Sequence, residues 1–66
     1  MDVNALIAAR RRAGLSIAEA ARRARMFPEA LHRLEAGGVK NPTIGTLQKL
    51  AAVYGCTVND FLGPAA

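Results

Sequence analysis

The sequence predicts an all-α domain built as a compact bundle of five short helices. Alanine is the commonest residue, with 14 copies among 66 residues against 6 glycines, and it has the highest helix propensity. Capping residues recur between apolar segments, and no alternating strand pattern competes with them. A hydrophobic fraction of 52% is too high for a disordered tail, so residues 1–66 form one small domain.

The first two helices follow from capping residues and a glycine. Asp2 can cap a first helix that runs to the residue before Gly14, whose flexible backbone suits a left-handed helix end. Ser16 and Glu19 have the spacing of a capping box, in which each side chain binds the other residue's backbone N–H. This box predicts a second helix over residues 17–24.

The third and fourth helices begin at other characteristic residues. Pro28 suits a first helical position, because its φ is already helical and its missing N–H would be unpaired there. This third helix runs to about Ala36. Thr43 can cap a fourth helix that reaches Tyr54 and ends at Gly55.

A fifth short helix is predicted over residues 58–62, because Thr57 and Asp60 have the spacing of another capping box. The apolar positions of all five helices can share one core. The predicted core residues are Leu6, Leu15, Ala20, Ala21, Ala24, Met26, Leu31, Leu34, Ile44, Leu47, Leu50, Ala51, Val58, Phe61 and Leu62.

The second and third helices form a recognisable pair. Only Arg25 to Phe27 separate them, and the small residues Ala20, Ala21 and Ala24 let the second helix approach its neighbours closely. Two short helices joined by a tight turn are a helix-turn-helix, here over about residues 16–36.

The charge of the chain is confined to its first half. Residues 1–33 carry seven arginines against three acidic residues, a net +4, whereas residues 34–66 carry two lysines against two acidic residues. Such asymmetry indicates a polyanionic partner, either nucleic acid or an anionic membrane surface. The alternative is a solvated face rich in arginine because the source genome is rich in G and C.

Several classes of function lack the residues they need. Cys56 and His32 are the only cysteine and histidine, so they supply no disulfide, cysteine metal cluster, multi-histidine metal site or catalytic triad. The apolar run at residues 6–9 is too short for a signal peptide or a membrane span. We therefore expect a soluble cytoplasmic protein that is not an enzyme. We expect it to bind no cofactor, no metal ion, no membrane and no small-molecule substrate.

An ordered set of residues resembles the Cro and phage-repressor type of helix-turn-helix domain, also called the xenobiotic-response-element family. The resemblance covers about residues 6–62 and implies a lambda-repressor-like fold that binds double-stranded DNA, usually as a homodimer on a two-fold site. The residues that carry it are Leu15, Ser16, Ala21, Leu31, Arg33, Leu34, Glu35, Gly37, Asn41, Pro42, Thr43, Thr46, Leu47, Lys49, Leu50, Ala51, Tyr54, Gly55 and residues 58–62.

The resemblance places the third helix in the major groove and implies base-edge contacts by Pro28, Glu29, His32 and Arg33. Arg33 can donate to guanine O6 and N7, and Glu29 can accept from the amino group of cytosine. Each has a plainer alternative. Arg33 and His32 can be solvated surface residues, and Glu29 can stabilise the helix N-terminus through its charge.

The resemblance also implies contacts with the DNA backbone. Arg10 is further expected to pair with Glu35, the alternative being two unrelated surface charges. The remaining arginines of the first half add a general positive field. The implied backbone contacts are Arg10, Ser16, Ile17, Phe27, Lys40, Asn41 and Thr43.

Three residues depart from the family pattern. Ile17 stands where glutamine commonly contacts phosphate, so only its backbone N–H is available. Arg25 stands where glycine usually adopts a positive φ, which costs a non-glycine residue roughly 1 kcal/mol unless the turn changes shape. Phe27 stands at a helix cap without a capping oxygen, a loss of about 1 kcal/mol that Pro28 partly offsets.

The predicted function is that of a small homodimeric transcriptional regulator, a repressor by the resemblance. The last helix and tail, with Phe61, Leu62 and Pro64, are the expected dimer surface, unless Phe61 and Leu62 close the core instead.

A second hypothesis keeps the fold but changes the partner. The chain would then be a protein-interaction module, an antitoxin-like or docking partner with weak or non-specific DNA binding. Met26 and Phe27 beside Glu29 would suit a protein groove.

Overall fold

A computed structural model of the chain describes residues 1–62. They form four α-helices and a final turn of 3₁₀ helix, with no strand among them. The elements are α1 (Val3–Arg12), α2 (Ile17–Arg23), α3 (Pro28–Glu35), α4 (Ile44–Tyr54) and the 3₁₀ helix (Val58–Phe61).

The all-α prediction is confirmed, but the prediction of five α-helices is wrong. The last element is held by i→i+3 bonds, with the N–H of Asp60 donating to the Thr57 carbonyl at 3.0 Å. It spans only 4 residues, too few to propagate an α-helix. The Asp60 carboxylate accepts from the Thr57 N–H at 2.9 Å and from its hydroxyl at 3.2 Å.

The predicted N-terminal caps of α1, α2 and α4 are confirmed. The Asp2 carboxylate accepts from the N–H of Asn4 at 3.0 Å. Ser16 and Glu19 exchange two side-chain to backbone hydrogen bonds, both 3.1 Å long. The Thr43 hydroxyl accepts from the N–H of Thr46 at 3.2 Å. These bonds satisfy donors that the first turn of a helix leaves unpaired.

The helices α1, α2 and α3 end in the same left-handed motif, at Gly14 (φ 74°), Arg25 (φ 56°) and Gly37 (φ 81°). In each case the next N–H bonds back to the helix, as Met26 does to the Ala21 carbonyl at 2.9 Å. Arg25 therefore adopts the positive φ that the family pattern predicts at this position, although it is not a glycine.

All five elements contribute to one core. Leu6, Leu31, Leu50 and Phe61 are its largest fully buried side chains. The Phe61 ring meets Tyr54 edge to face, with ring centroids 6.3 Å apart. The buried apolar residues are Leu6, Ala9, Leu15, Ala20, Ala21, Ala24, Leu31, Leu34, Leu47, Leu50, Ala51 and Phe61.

The predicted core differs from this set in five residues. Ile44 and Leu62 were predicted to be buried, but they are 60% and 42% exposed. Met26 and Val58 are only partly buried against the core. Ala9, which was not predicted, is buried.

Two contacts join distant parts of the chain. Arg10 on α1 pairs with Glu35 at the end of α3, with 2.7 Å between Nε and Oε2. The N–H of Asp2 donates to the Phe61 carbonyl at 2.7 Å, which closes the N-terminus onto the 3₁₀ helix. The longest described helix, α4, has 11 residues, and none of the described helices is long and apolar enough to cross a membrane.

Candidate nucleic-acid interface

Helix α3 has two contrasting faces. Leu31 and Leu34 are buried against the core, 0% and 3% exposed, and they fix the rotation of the helix. Successive residues of an α-helix are 100° apart, so the opposite face faces solvent. All four predicted base-edge residues are exposed. Glu29, His32 and Arg33 lie on that face, whereas Pro28 is exposed at the first position of the helix.

The N-terminus of α3 forms without a side-chain cap. Phe27 occupies the cap position, and its side chain makes no capping hydrogen bond. Pro28 has no N–H, and the N–H groups of Ala30 and Leu31 both donate to the Phe27 carbonyl, at 3.0 and 3.2 Å. One backbone donor of this turn, the N–H of Glu29, has no partner among the described residues. The helix thus starts without a side-chain cap, because Pro28 removes one donor and the Phe27 carbonyl accepts from two others.

The Phe27 ring at this tip is 77% exposed. A large aromatic side chain in water at the start of α3 contributes nothing to the core of the domain. It can contact an apolar group of a partner, such as the methyl group of thymine.

Arg33 lies directly against Gly38, a contact that sequence reasoning missed. A Cβ placed on Gly38 would be 3.0 Å from Cγ of Arg33, closer than such atoms normally approach. The N–H of Gly38 also donates to the Arg33 carbonyl at 3.0 Å. The available signal was a second glycine after Gly37, because one glycine is enough to end the helix.

The predicted backbone contacts after α3 are exposed. Lys40, Asn41 and Thr43 lie in the loop before α4 and at its cap. The Thr43 hydroxyl already binds the N–H and the hydroxyl of Thr46. An open cleft of about 230 Å³ separates this loop from α3. The loop and the exposed face of α3 are thus separate surfaces on two sides of one cleft.

The predicted contacts at the start of α2 have other roles in the structure. The exposed Ser16 hydroxyl is committed to the N–H of Glu19. Its own N–H bonds to the Glu19 carboxylate and so lowers the pKa of that exposed group. Ile17 is partly buried against the core.

Arg10 is the most constrained of the predicted site residues. Its guanidinium donates twice to Glu35, at 2.7 and 3.0 Å, and once to the Leu15 carbonyl at 2.8 Å. The paired side chains are only 13% and 6% exposed. The hydrogen bond to Glu35 raises the pKa of Arg10 further above its ordinary value. The predicted pair therefore exists and joins α1 to α3, while a phosphate contact by Arg10 stays a prediction.

Tyr54 lies beside this ion pair. Burial raises its pKa to about 12, and the nearby Glu35 charge acts in the same direction. Its buried hydroxyl has no hydrogen-bond partner within residues 1–62.

The exposed cations of the described residues form no salt bridge. Within residues 1–62 the Arg10–Glu35 contact is the only ion pair, and every other lysine and arginine is exposed. The same part of the chain contains no group of three metal-binding side chains. Exposed cations without acidic partners attract a polyanion from solution.

Comparison with known protein families gives a match over residues 5–61 to the family described as "Helix-turn-helix domain". Neither the curated proteins nor the solved structures contain a match to the chain. The family match covers both α2 and α3 and supports DNA as the partner.

Proposed function

The chain belongs to the helix-turn-helix domain family, and from that premise we propose that it is a small transcriptional regulator that reads double-stranded DNA. Helix α3 enters the major groove and its exposed face contacts base edges. The observation that carries this proposal is the orientation of α3, whose other face is locked into the core by Leu31 and Leu34.

The tip of α3 gives each exposed residue a chemical role. Arg33 donates two hydrogen bonds to guanine, and Glu29 accepts one from cytosine. Phe27 and Pro28 offer apolar contact to thymine methyl groups. His32 contacts a base or a phosphate from the same face.

The DNA backbone is held from the side. Lys40, Asn41 and Thr43 are exposed in the loop and cap that follow α3, and contacts of this kind set the register of a protein on the duplex. The start of α2, with Ser16 and Ile17, contributes through its backbone. Arg10 contributes chiefly by holding α1 against the end of α3.

A homodimer suits the size of the domain. Its longest dimension is 30 Å, and two copies on one face of the duplex place their reading helices about 34 Å apart. A dimer bound over a promoter would act as a repressor by excluding other proteins.

The test begins with duplexes selected by the protein from a randomised pool, titrated beside a scrambled duplex at several salt concentrations. We expect sequence-selective binding that weakens steeply as salt rises, because bound phosphates release counterions. Arg33→Ala should cost about 1–3 kcal/mol on the selected duplex and little on the scrambled one. Glu29→Ala should relax selectivity at a cytosine.

Arg11→Ala is the matched control, since it removes an exposed arginine of α1 that lies outside α3. It should weaken both duplexes by the same factor. If wild-type protein binds both duplexes equally, or if Arg33→Ala behaves like Arg11→Ala, the sequence-specific regulator is ruled out.

A second candidate function is a protein-interaction module of the same fold, antitoxin-like or docking. The 77% exposure of Phe27 favours it, because an aromatic side chain in water is a frequent anchor of protein interfaces. Binding to a partner protein that persists in high salt and disappears in Phe27→Ala would support this candidate. The DNA titration above separates the two.

A further inference from the structure

A second cleft opens on a different part of the domain. It has a volume of about 230 Å³ and lies between the C-terminal end of α2 and the second half of α4. Its floor is apolar and its rim is cationic. The lining residues are Arg23, Ala24, Arg25, Lys49, Ala52 and Val53.

The three cations of this rim have no acidic partner in the fold. Within residues 1–62 neither a salt bridge nor a side-chain hydrogen bond involves Arg23, Arg25 or Lys49. The acidic residue one turn before Arg23 is Glu19, whose carboxylate caps α2 through the Ser16 N–H at 3.1 Å. The rim therefore carries three cations that form no salt bridge, with the Glu19 charge near Arg23.

Arg25 adds an independent observation. It holds a positive φ of 56°, a conformation that is strained for any residue with a Cβ. Its side chain makes no hydrogen bond or salt bridge within residues 1–62, while the backbone turn is held by the Met26 N–H, which donates to the Ala21 carbonyl at 2.9 Å. The strain is tied to the end of α2, and it leaves the exposed Arg25 side chain at the rim of the cleft.

The α4 side of the cleft lies away from the proposed DNA contacts, a placement that rests on the proposed function, whereas Arg25 stands two residues before Phe27. Apart from Phe27, which follows the turn after α2, the predicted phosphate contacts on these two helices stand at the start of α2 and at the cap of α4. The cleft lies at the C-terminal ends of the same two helices, since Arg23 is six residues beyond Ile17 and Val53 is ten residues beyond Thr43. At 1.5 Å per residue these separations are roughly 9 and 15 Å. Bound DNA would therefore leave the side of the cleft formed by α4 accessible.

We propose that this cleft is a docking site for an acidic segment of a partner protein that carries one apolar anchor side chain. The anchor packs on the floor formed by Ala24, Ala52 and Val53. Carboxylates on either side of it pair with the cationic rim. A DNA phosphate would satisfy the rim but would leave the apolar floor uncovered, so the observations favour a peptide.

The probe is a short fluorescent peptide with a single leucine between runs of glutamate. It is titrated into the full chain by fluorescence anisotropy, with and without the selected DNA duplex, and the bound site is located by heteronuclear NMR. We expect saturable binding with amide shifts centred on Ala24, Ala52 and Val53. Replacing the leucine of the peptide by glycine should weaken binding clearly.

Variants assign the binding to the cleft. Arg25→Gly and Lys49→Ala should each raise the dissociation constant about threefold to fivefold, the effect of losing one exposed ion pair. Arg11→Ala removes the same charge outside the cleft and should leave peptide affinity unchanged. Because glycine suits the backbone of residue 25, weaker binding by Arg25→Gly cannot be attributed to unfolding.

Three results would overturn the docking site. The first is an absence of saturable shifts around the cleft. The second is equal weakening by Arg11→Ala, which would show only general attraction to charge. The third is competition between peptide and DNA, together with a loss of DNA affinity in Lys49→Ala. This result would show that the cations of the rim bind DNA phosphates. A protein that binds the peptide but fails to select DNA would support the docking site and contradict only the proposed function.

Discussion

Arg25 is the residue at which local strain and surface chemistry coincide. Gly14 and Gly37 occupy the same position at the ends of α1 and α3. Arg25→Gly should therefore raise the free energy of unfolding by about 0.5–1 kcal/mol. Glycine relieves the backbone strain of the folded state, and part of this gain is lost because glycine also makes the unfolded chain more flexible. For a domain of this size, that is roughly 2–8 °C in Tm.

Urea and thermal unfolding of Arg25→Gly would measure this gain. The matched control is Arg23→Gly, which removes the same charge from a helical position of α2. There glycine should lower the stability by roughly 1 kcal/mol. A loss of stability in both variants would show that residue 25 is not strained.

Tyr54 combines a buried hydroxyl with no hydrogen-bond partner in residues 1–62 and a pKa raised to about 12. A raised pKa means that the folded state keeps a proton that the unfolded chain releases near pH 10. The stability is thus fully present below pH 10 and falls as the pH rises towards about 12. Tyr54→Phe should be neutral or stabilising by up to about 1 kcal/mol at pH 7.

The same variant should also lose less stability than wild type between about pH 10 and 12. Urea unfolding at neutral and alkaline pH, done in parallel on both proteins, measures the difference. An unchanged alkaline loss, or a marked destabilisation at neutral pH, would mean that the hydroxyl has a partner such as a bound water molecule.

At the scale of the elements, local signals were sufficient to predict most boundaries. The caps at Asp2, Ser16 and Thr43 act within three residues of sequence, so their bonds could be anticipated and are found. The exposed face of α3 followed from helical periodicity. The pattern of Thr57 and Asp60 is also local, but it marks a turn and does not specify α over 3₁₀ geometry.

Tertiary features were less predictable. Ile44 shares a helical face with Leu47, yet its 60% exposure shows that no other element covers this side chain. The Arg33–Gly38 contact depends on how the chain leaves α3. Neither follows from periodicity, because both are set by neighbours that the pattern does not describe.

The end of α3 provides a test of how Arg33 is positioned. Gly38→Ala places a methyl group about 3 Å from Cγ of Arg33, so this side chain must move. The affinity for the selected duplex should fall towards that of Arg33→Ala, at most about 1–3 kcal/mol. The fold should remain intact, because the φ of Gly38 is not positive.

A double-mutant cycle separates this effect from any other consequence of the methyl group. In the Arg33→Ala background, Gly38→Ala should have no further effect on DNA affinity. DNA titrations of the four proteins and their thermal unfolding provide the measurement. Additive losses would show that Gly38 acts independently of Arg33.

At the scale of the whole molecule, size is the main constraint. A chain of 66 residues buries only about 60% of its unfolded surface, so self-association would add stability to that of the core. The structure describes only part of the expected dimer surface. Phe61 is fully buried and closes the core, Leu62 is 42% exposed, and Pro64 lies outside the described residues.

Two exposed side chains, where the N-terminus meets the 3₁₀ helix, suggest where two copies of the proposed dimer would meet. The bond between the Asp2 N–H and the Phe61 carbonyl, 2.7 Å long, brings Met1 and Leu62 close together. These side chains are 38% and 42% exposed. We define them as the closure patch. A two-fold axis through this patch would bury apolar surface from both copies.

Leu62→Glu should therefore convert the dimer to a monomer, because it places two like charges at the centre of the contact. Affinity for a duplex with two half-sites should fall about 10²-fold or more, since the second half-site then binds independently. Affinity for a single half-site should be unchanged. Sedimentation velocity and parallel titrations of the two duplexes measure both effects.

Ala8→Glu, the same charge change at an exposed position of α1, should leave the dimer intact. A dimer that survives Leu62→Glu would exclude the closure patch as the interface, and a wild-type monomer at the concentrations that bind DNA would exclude the homodimer itself.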